Sequence, residues 1–226
     1  MKQKRAAIYH FTDKSIKRPK IYLDQLKELE AFANSMGFYL IDIYCDKSLK
    51  VCEHTEFKRF LSCCDSYDAL FIKSFYHISK NTHSFISTIR MLLDKGLQIY
   101  SIENGIIFFE DFPFDKTLKV ATYTCHSGPA NEFKEIVLVN NDILSLFAAK
   151  KTNWKIIDQF YDRSSHQNNG EQIQIMELIK NRTKYDLLLV RNLNDIHWRT
   201  SNFCKIREKL HLDIFSLQDG LLKYRK

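Results

Sequence analysis

The chain has 226 residues, 45% hydrophobic and 27% charged, with only 6 Gly and 3 Pro; this excludes low-complexity sequence and long flexible linkers and allows one large fold or two compact ones. No apolar run approaches the ~18 residues of a membrane span, and the apolar stretch after the basic start, Ala6-Ala7-Ile8-Tyr9, is too short for a secretory signal, so a cytoplasmic protein with no membrane partner is expected. The formal net charge of +7 suits a polyanionic partner such as nucleic acid and is also common in mildly basic soluble proteins.

In chain order, residues 5–11 form a short apolar run of strand type. From Tyr22 to Met36, the residues Leu23, Leu26, Leu29, Phe32, Ala33 and Met36 recur at helical spacing, and Gly37 stands where glycine ends a helix. Residues 38–44 read as a strand, 56–64 as a helix with Phe57, Phe60 and Leu61 inward, and 69–73 as a buried strand. Residues 82–95 read as a helix through Phe85, Ile86, Ile89, Leu92 and Leu93, stopped by Gly96, and 97–102 as a strand. Residues 106–110 lead into Asp111-Phe112-Pro113-Phe114, where proline interrupts regular structure. The second half follows the same order, with helices near 139–152, 171–181 and 200–210.

The two halves also match in wording. Lys4-Arg5-Ala6-Ala7-Ile8-Tyr9 pairs with Leu118-Lys119-Val120-Ala121-Thr122-Tyr123. Residues 40–48 pair with 156–164, 67–72 with 185–190, and 97–105 with 212–220. Four blocks recur in one order with nearly constant offset, which points to an internal repeat. Strands alternating with helices imply crossover units and a mainly parallel sheet in each half. The expected organisation is α/β, with a first domain at 1–110, a linker at 111–116 and a second domain at 117–226.

Three segments of the first half, Tyr44-Cys45-Asp46-Lys47-Ser48, Tyr67-Asp68-Ala69-Leu70-Phe71-Ile72 and Phe75-Tyr76-His77-Ile78-Ser79-Lys80-Asn81, fall in a known order. Each half resembles the catalytic domain of serine recombinases, the resolvase/invertase family. That domain opens with a strand ending Tyr-x-Arg-x-Ser and has a second strand ending in Asp. A Tyr-Asp-apolar strand and an Arg-Leu-x-Arg-Asn segment follow. The resemblance implies two tandem degenerate resolvase-like domains, with Tyr9, Asp46, Tyr123 and Asp162 at family-motif positions. It also implies a chemistry in which a serine hydroxyl attacks a DNA phosphodiester and forms a phosphoseryl link. Fixed guanidinium forks stabilise the charge that develops.

Against that pattern the first half places Phe11 at the Arg position and Asp13 at the Ser position, with His77 and Lys80 for the later arginines. The second half places Cys125 at the Arg position and Ser127 at the nucleophile spacing. Its later arginine positions carry Asp195 and Trp198, and Arg199 stands one residue late. Ser127 is thus the candidate nucleophile, and His77, Lys80 and Arg199 are candidates for binding phosphate or DNA. A non-catalytic accessory or regulatory factor is expected, whose partners would be DNA, a related recombinase or a second copy of the chain. The alternatives are an active site-specific DNA recombinase and an α/β interaction scaffold. Six cysteines without a C-x-x-C pair, and no H-E-x-x-H or Gly-rich phosphate loop, point to no metal and no cofactor.

Overall fold

Strand β1 (Lys4–Asp13) carries Ala6, Ala7, Ile8, Tyr9 and Phe11, all buried, as a strand covered on both faces requires. It sits inside a five-stranded sheet. Helix α1 (Pro19–Ser35) leads to β2 (Phe38–Ser48), and α2 (Thr55–Cys63) leads to β3 (Ala69–Ile72). Helix α3 (Thr82–Asp94), β4 (Gln98–Ser101) and β5 (Gly105–Ile107) complete the unit. The order is β2-β1-β3-β4-β5, with the first four strands parallel and β5 turned back antiparallel on β4. Gly37 and Gly96 follow α1 and α3 at φ +79° and +82°, left-handed positions that reverse the chain without a Cβ clash.

Side chains on β1 alternate between faces. Ala6 and Ile8 join Leu29 and Ala33 of α1 with Phe38, Phe71 and Tyr100 in one apolar cluster. Phe71 and Tyr100 stack there with ring centroids 4.8 Å apart. Tyr9, on the other face, meets Phe57 of α2 at 4.7 Å.

The second unit starts with β6 (Phe109–Glu110), β7 (Leu118–His126), α4 (Ala130–Ala149) and β8 (Trp154–Arg163). It continues through α5 (Ile173–Lys180), β9 (Leu187–Val190), α6 (Thr200–Leu210), β10 (Asp213–Ser216) and β11 (Gly220–Leu222). Its strand order is β8-β7-β9-β10-β11-β6, again parallel across four strands and antiparallel thereafter. Leu144 and Ala148 of α4 pack with Val120, Trp154 and Leu189 as α1 does in the first unit.

In this computed structural model the described residues are 4–13, 19–48, 54–107, 109–110, 117–126, 129–151, 153–163 and 172–223. The chain divides into units Met1–Phe108 and Phe109–Tyr224. Both sheets are mostly parallel and flanked by helices. Details recur between them: the pairing of the first two strands slips at Ala6/Ala7 in one unit and at Val120/Ala121 in the other. The Asp68 carboxylate accepts the Arg5 N–H at 2.6 Å, and Asp186 accepts the Lys119 N–H at 2.9 Å. Tyr67 donates to Asp42 at 2.6 Å, and Tyr185 to Asp158 at 2.5 Å.

Three sequence-based boundaries need correction. The helix expected near 139–152 is α4, which starts at Ala130 and ends at Ala149. Its first turns are mostly exposed, with Asn131, Glu132, Lys134 and Glu135 facing water, so no apolar stripe marks them. Residues 38–44 extend to Ser48 because β1 pairs with β2 along its whole length. The stretch 106–110 is divided: Gly105–Ile107 pairs with β4, whereas Phe109–Glu110 pairs with β11. A two-residue edge strand carries no periodicity to read. Among the described residues no helix is long and apolar enough to cross a membrane.

Candidate functional site

In an open parallel sheet the carboxyl ends of the strands gather the loops and helix N-termini, and ligands bind there. Both units build a hydrogen-bonded frame at that edge. Near the end of β2, Asp46 is 5% exposed. Its carboxylate accepts the backbone N–H of Glu56 and of Phe57, both at 3.0 Å, in the first turn of α2. Tyr9 Oη donates to the same carboxylate at 3.2 Å. Residue His54, at the N-cap of α2, makes no side-chain cap. The cap is supplied instead by a carboxylate from a neighbouring strand, which satisfies orphan N–H donors and complements the helix dipole. His54 Nδ1 lies 2.7 Å from Tyr9 Oη.

The second unit repeats the frame. Asp162 accepts the N–H of Gln174 and of Ile175 at 2.9 Å each, and Tyr123 Oη donates to it at 3.1 Å. Gln172 takes the place of His54, donating from Nε2 to Tyr123 Oη at 3.0 Å and to the Ile196 carbonyl at 2.8 Å. Burial, with Asp46 for Tyr9 and with Cys125 and Asp162 for Tyr123, drives both phenol pKa values well above 10. Both tyrosines are therefore fixed hydrogen-bond donors, and neither supplies a phenolate nucleophile. Tyr9 with Asp46 and Tyr123 with Asp162 thus play one role in each unit, locking strand ends to a helix start.

Phe11 stacks on His54 with centroids 5.4 Å apart and an interplanar angle of 11°, and its ring lies 6.0 Å from His77. His77 is 6% exposed and packs edge-on against buried His10 at 6.0 Å. Burial first, then the neighbouring His10, Lys73 and His54, push the His77 pKa down to about 3; burial and Lys73 push that of His10 to about 4. Burial at His77 therefore disfavours the charged ring with which it would bind a phosphate. Lys80 is exposed on the segment before α3. Of Asp13 the structure describes the backbone, as the last residue of β1.

In the second unit, burial raises the Cys125 thiol to about 11, against hydrogen bonds from Tyr123 and Gln172. Asp195 belongs to a capping box. The Asn192 side chain accepts the Asp195 N–H at 3.1 Å, and the Asp195 carboxylate accepts the Asn192 N–H at 3.3 Å. Burial lifts the Asp195 pKa to about 7, opposed by those hydrogen bonds and by Arg191. Trp198 is partly exposed and lies under the Arg199 guanidinium, 4.6 Å from the ring centroid. Ser127 lies outside the described residues, as does the linker 111–116.

Sequence reasoning missed a pocket of about 520 Å³ beside α5 and α6. It is lined by the apolar Ile175, Met176 and Ile206 and by Gln172, His197, Arg199, Asn202, Lys205 and Lys209. Of the site residues singled out from the sequence, Arg199 alone faces it. Lys205 and Lys209, four residues apart on α6, share a helix face, and that spacing was the available signal. Among the described residues no group of three or more His, Cys, Asp or Glu is placed to hold a metal ion.

No family model and no curated protein matches the chain. Among solved structures, the N-terminal catalytic domain of TP901-1 integrase aligns at 16% identity and TM-score 0.39, over 45% of this chain and 79% of that one. The C-terminal catalytic domain of ISC1926 TnpA, an IS607-like serine recombinase, aligns at 18% identity and TM-score 0.38, over 78% and 99%. A periplasmic solute-binding protein of an ABC transporter from Actinobacillus succinogenes, with bound D-allose, aligns at 12% identity and TM-score 0.31, over 94% and 78%. At these TM-scores no residue role follows from the likenesses.

Proposed function

We propose that the chain is a duplicated, serine-recombinase-like protein that associates with DNA, or with a recombinase on DNA, without cutting the strand. The observation that carries this reading is a contrast at one edge of each sheet. The Tyr–Asp frame that organises the edge is kept twice, while the guanidinium groups that phosphoryl transfer needs are absent from the matching positions. Buried His77 and the capping-box Asp195 stand at one such position, and Phe11 and Cys125 at another. Cleaving a phosphodiester develops negative charge, and loss of one preorganised donor at such a centre typically costs about 10²–10³ in rate. Several are missing here. Ser127 keeps the nucleophile spacing in the sequence, but the sequence puts Cys125, Asp195 and Trp198 where the activating arginines would stand, and a serine hydroxyl that lacks such partners is a poor phosphoryl acceptor.

The +7 charge favours a polyanionic partner. Backbone-directed binding of this kind is sequence-tolerant and steeply salt-dependent, because its affinity comes from counterion release. Gel shifts with unrelated DNA fragments over 50–300 mM NaCl test the reading. Comparable affinities among sequences, falling steeply with salt, are expected. Absence of binding to any DNA at 50 mM NaCl, with and without a resolvase-type partner present, would overturn it.

A further inference from the structure

The pocket beside α5 and α6 is not used by the Tyr–Asp frame and carries its own chemistry. Three cations line it, Arg199, Lys205 and Lys209, and among the described residues the lining contains no carboxylate. Among the described residues none of the three is engaged in an ion pair. Three like charges lining one pocket, none of them in an ion pair among the described residues, create a potential that a polyanion relieves.

Beside these cations lies an aromatic stack. The ring planes of His197, which lines the pocket, and of Trp198, its neighbour outside the lining, lie 21° apart with centroids at 6.3 Å, and the Arg199 guanidinium covers one face of the indole at 4.6 Å. Trp198 is 36% exposed, unusual for a residue that gains most from burial. Two amides line the same pocket. Asn202 lies 3.0 Å from the His197 ring, and Gln172 is anchored through its Nε2. A cationic groove next to an aromatic platform is how proteins hold unpaired nucleotides, with phosphates on the cations and bases on the rings. A volume of about 520 Å³ lies within the range of roughly 300–1,000 Å³ that encloses a small ligand, which is room for one nucleotide.

From this juxtaposition we infer that the second unit carries a binding site for single-stranded nucleic acid, with Arg199, Lys205 and Lys209 on the phosphates and Trp198 stacking a base. The inference rests on the DNA-associated reading above and deepens it by naming the strand state and the residues. It assigns no step of strand cleavage.

The test uses the full chain and a fluorescein-labelled 15-mer of thymidylate, with a mixed-sequence duplex of the same length as comparator. Anisotropy titrations run from 50 to 300 mM NaCl. Three phosphate contacts predict a log–log salt slope near −2, since each contributes about −0.7 on a single strand. The double variant Lys205→Glu/Lys209→Glu, whose side chains are exposed, should bind at least tenfold more weakly with a slope reduced by roughly 1.4. Trp198→Ala should weaken binding roughly fivefold or more, as loss of one base–aromatic stack does.

An independent optical signal is at hand, because the chain has only two tryptophans and Trp154 is a core residue. The 15-mer should quench fluorescence in the wild type, and Trp198→Phe should abolish the quench. Wild-type binding unchanged in the lysine variant would overturn the site and leave the DNA-associated reading standing. Preference for the duplex without quenching would overturn the strand assignment. Equal competition by polyglutamate would assign the pocket to an acidic protein segment instead. If the chain alone binds no DNA at 50 mM NaCl, the site fails; the broader reading fails with it only if a resolvase-type partner brings no binding either.

Discussion

Acidifying the protein from pH 7 to pH 5 should loosen the first unit through two buried histidines. His10 and His77 have folded pKa values near 4 and 3, against 6.5 for an ordinary histidine, so the neutral ring is the folded form. The stability this carries is complete above pH 6.5 and is lost as pH falls toward the folded values. Between pH 7 and 5 each histidine of the unfolded chain takes up most of a proton, while the folded rings take up little. Linkage converts that difference into about 2 kcal/mol per histidine, about 4 kcal/mol for the pair. Set against the roughly 5–15 kcal/mol stability of a typical domain, the loss is large. Hydrogen exchange of the whole chain, read by mass spectrometry on peptides from β1 and β3 and corrected for intrinsic rates, isolates this unit. His77→Phe keeps an aromatic ring against His10, Phe11 and Tyr76 and removes one proton site. It should halve the pH response. A wild-type loss below about 0.5 kcal/mol between pH 7 and 5, or an unaltered response in His77→Phe, would refute the reasoning.

Asp195 should act in the opposite sense. Its folded pKa is raised to about 7 from 3.8, so its stabilising contribution is complete below pH 4 and is lost as pH rises through 7. Asp195→Asn should flatten that dependence. Urea unfolding followed by tryptophan fluorescence measures it, since both tryptophans belong to the second unit. Asp46→Ala and Asp162→Ala should each destabilise their own unit by about 3 kcal/mol, because each strands two helix N–H groups and a tyrosine hydroxyl. Equal, small effects below about 0.5 kcal/mol in denaturant titrations would show that water replaces those bonds freely.

Much of the architecture was legible because burial writes itself into residue order. The runs Ala69–Ile72 and Leu187–Val190 are wholly buried central strands and read as such without context. Gly37 and Gly96 marked helix ends because left-handed backbone selects glycine there. The recurring Tyr and Asp positions were legible as a pattern, but their work was not. That Asp46 caps a helix about ten residues downstream is set by where β2 and α2 meet in space. Likewise His77 could be read as a histidine at a phosphate-facing spacing, whereas its burial against Phe11 and His10 is something no local pattern encodes. The pocket cations were individually visible and ordinary. Arg199, Lys205 and Lys209 belong to α6 and its N-cap, and the pocket they line is completed by Gln172, Ile175 and Met176 of α5 and its N-cap, which local sequence does not encode.

The central claim is that the Tyr–Asp frame survives without cleavage chemistry. Incubating the full chain with supercoiled plasmid, quenching with detergent and probing for protein covalently joined to DNA tests it most directly. The account predicts no nicked or linear product and no adduct, with and without Ser127→Ala. An adduct formed by the wild type and abolished by Ser127→Ala would contradict it, and would mean that the second unit assembles its cationic partners from residues other than Cys125, Asp195 and Trp198.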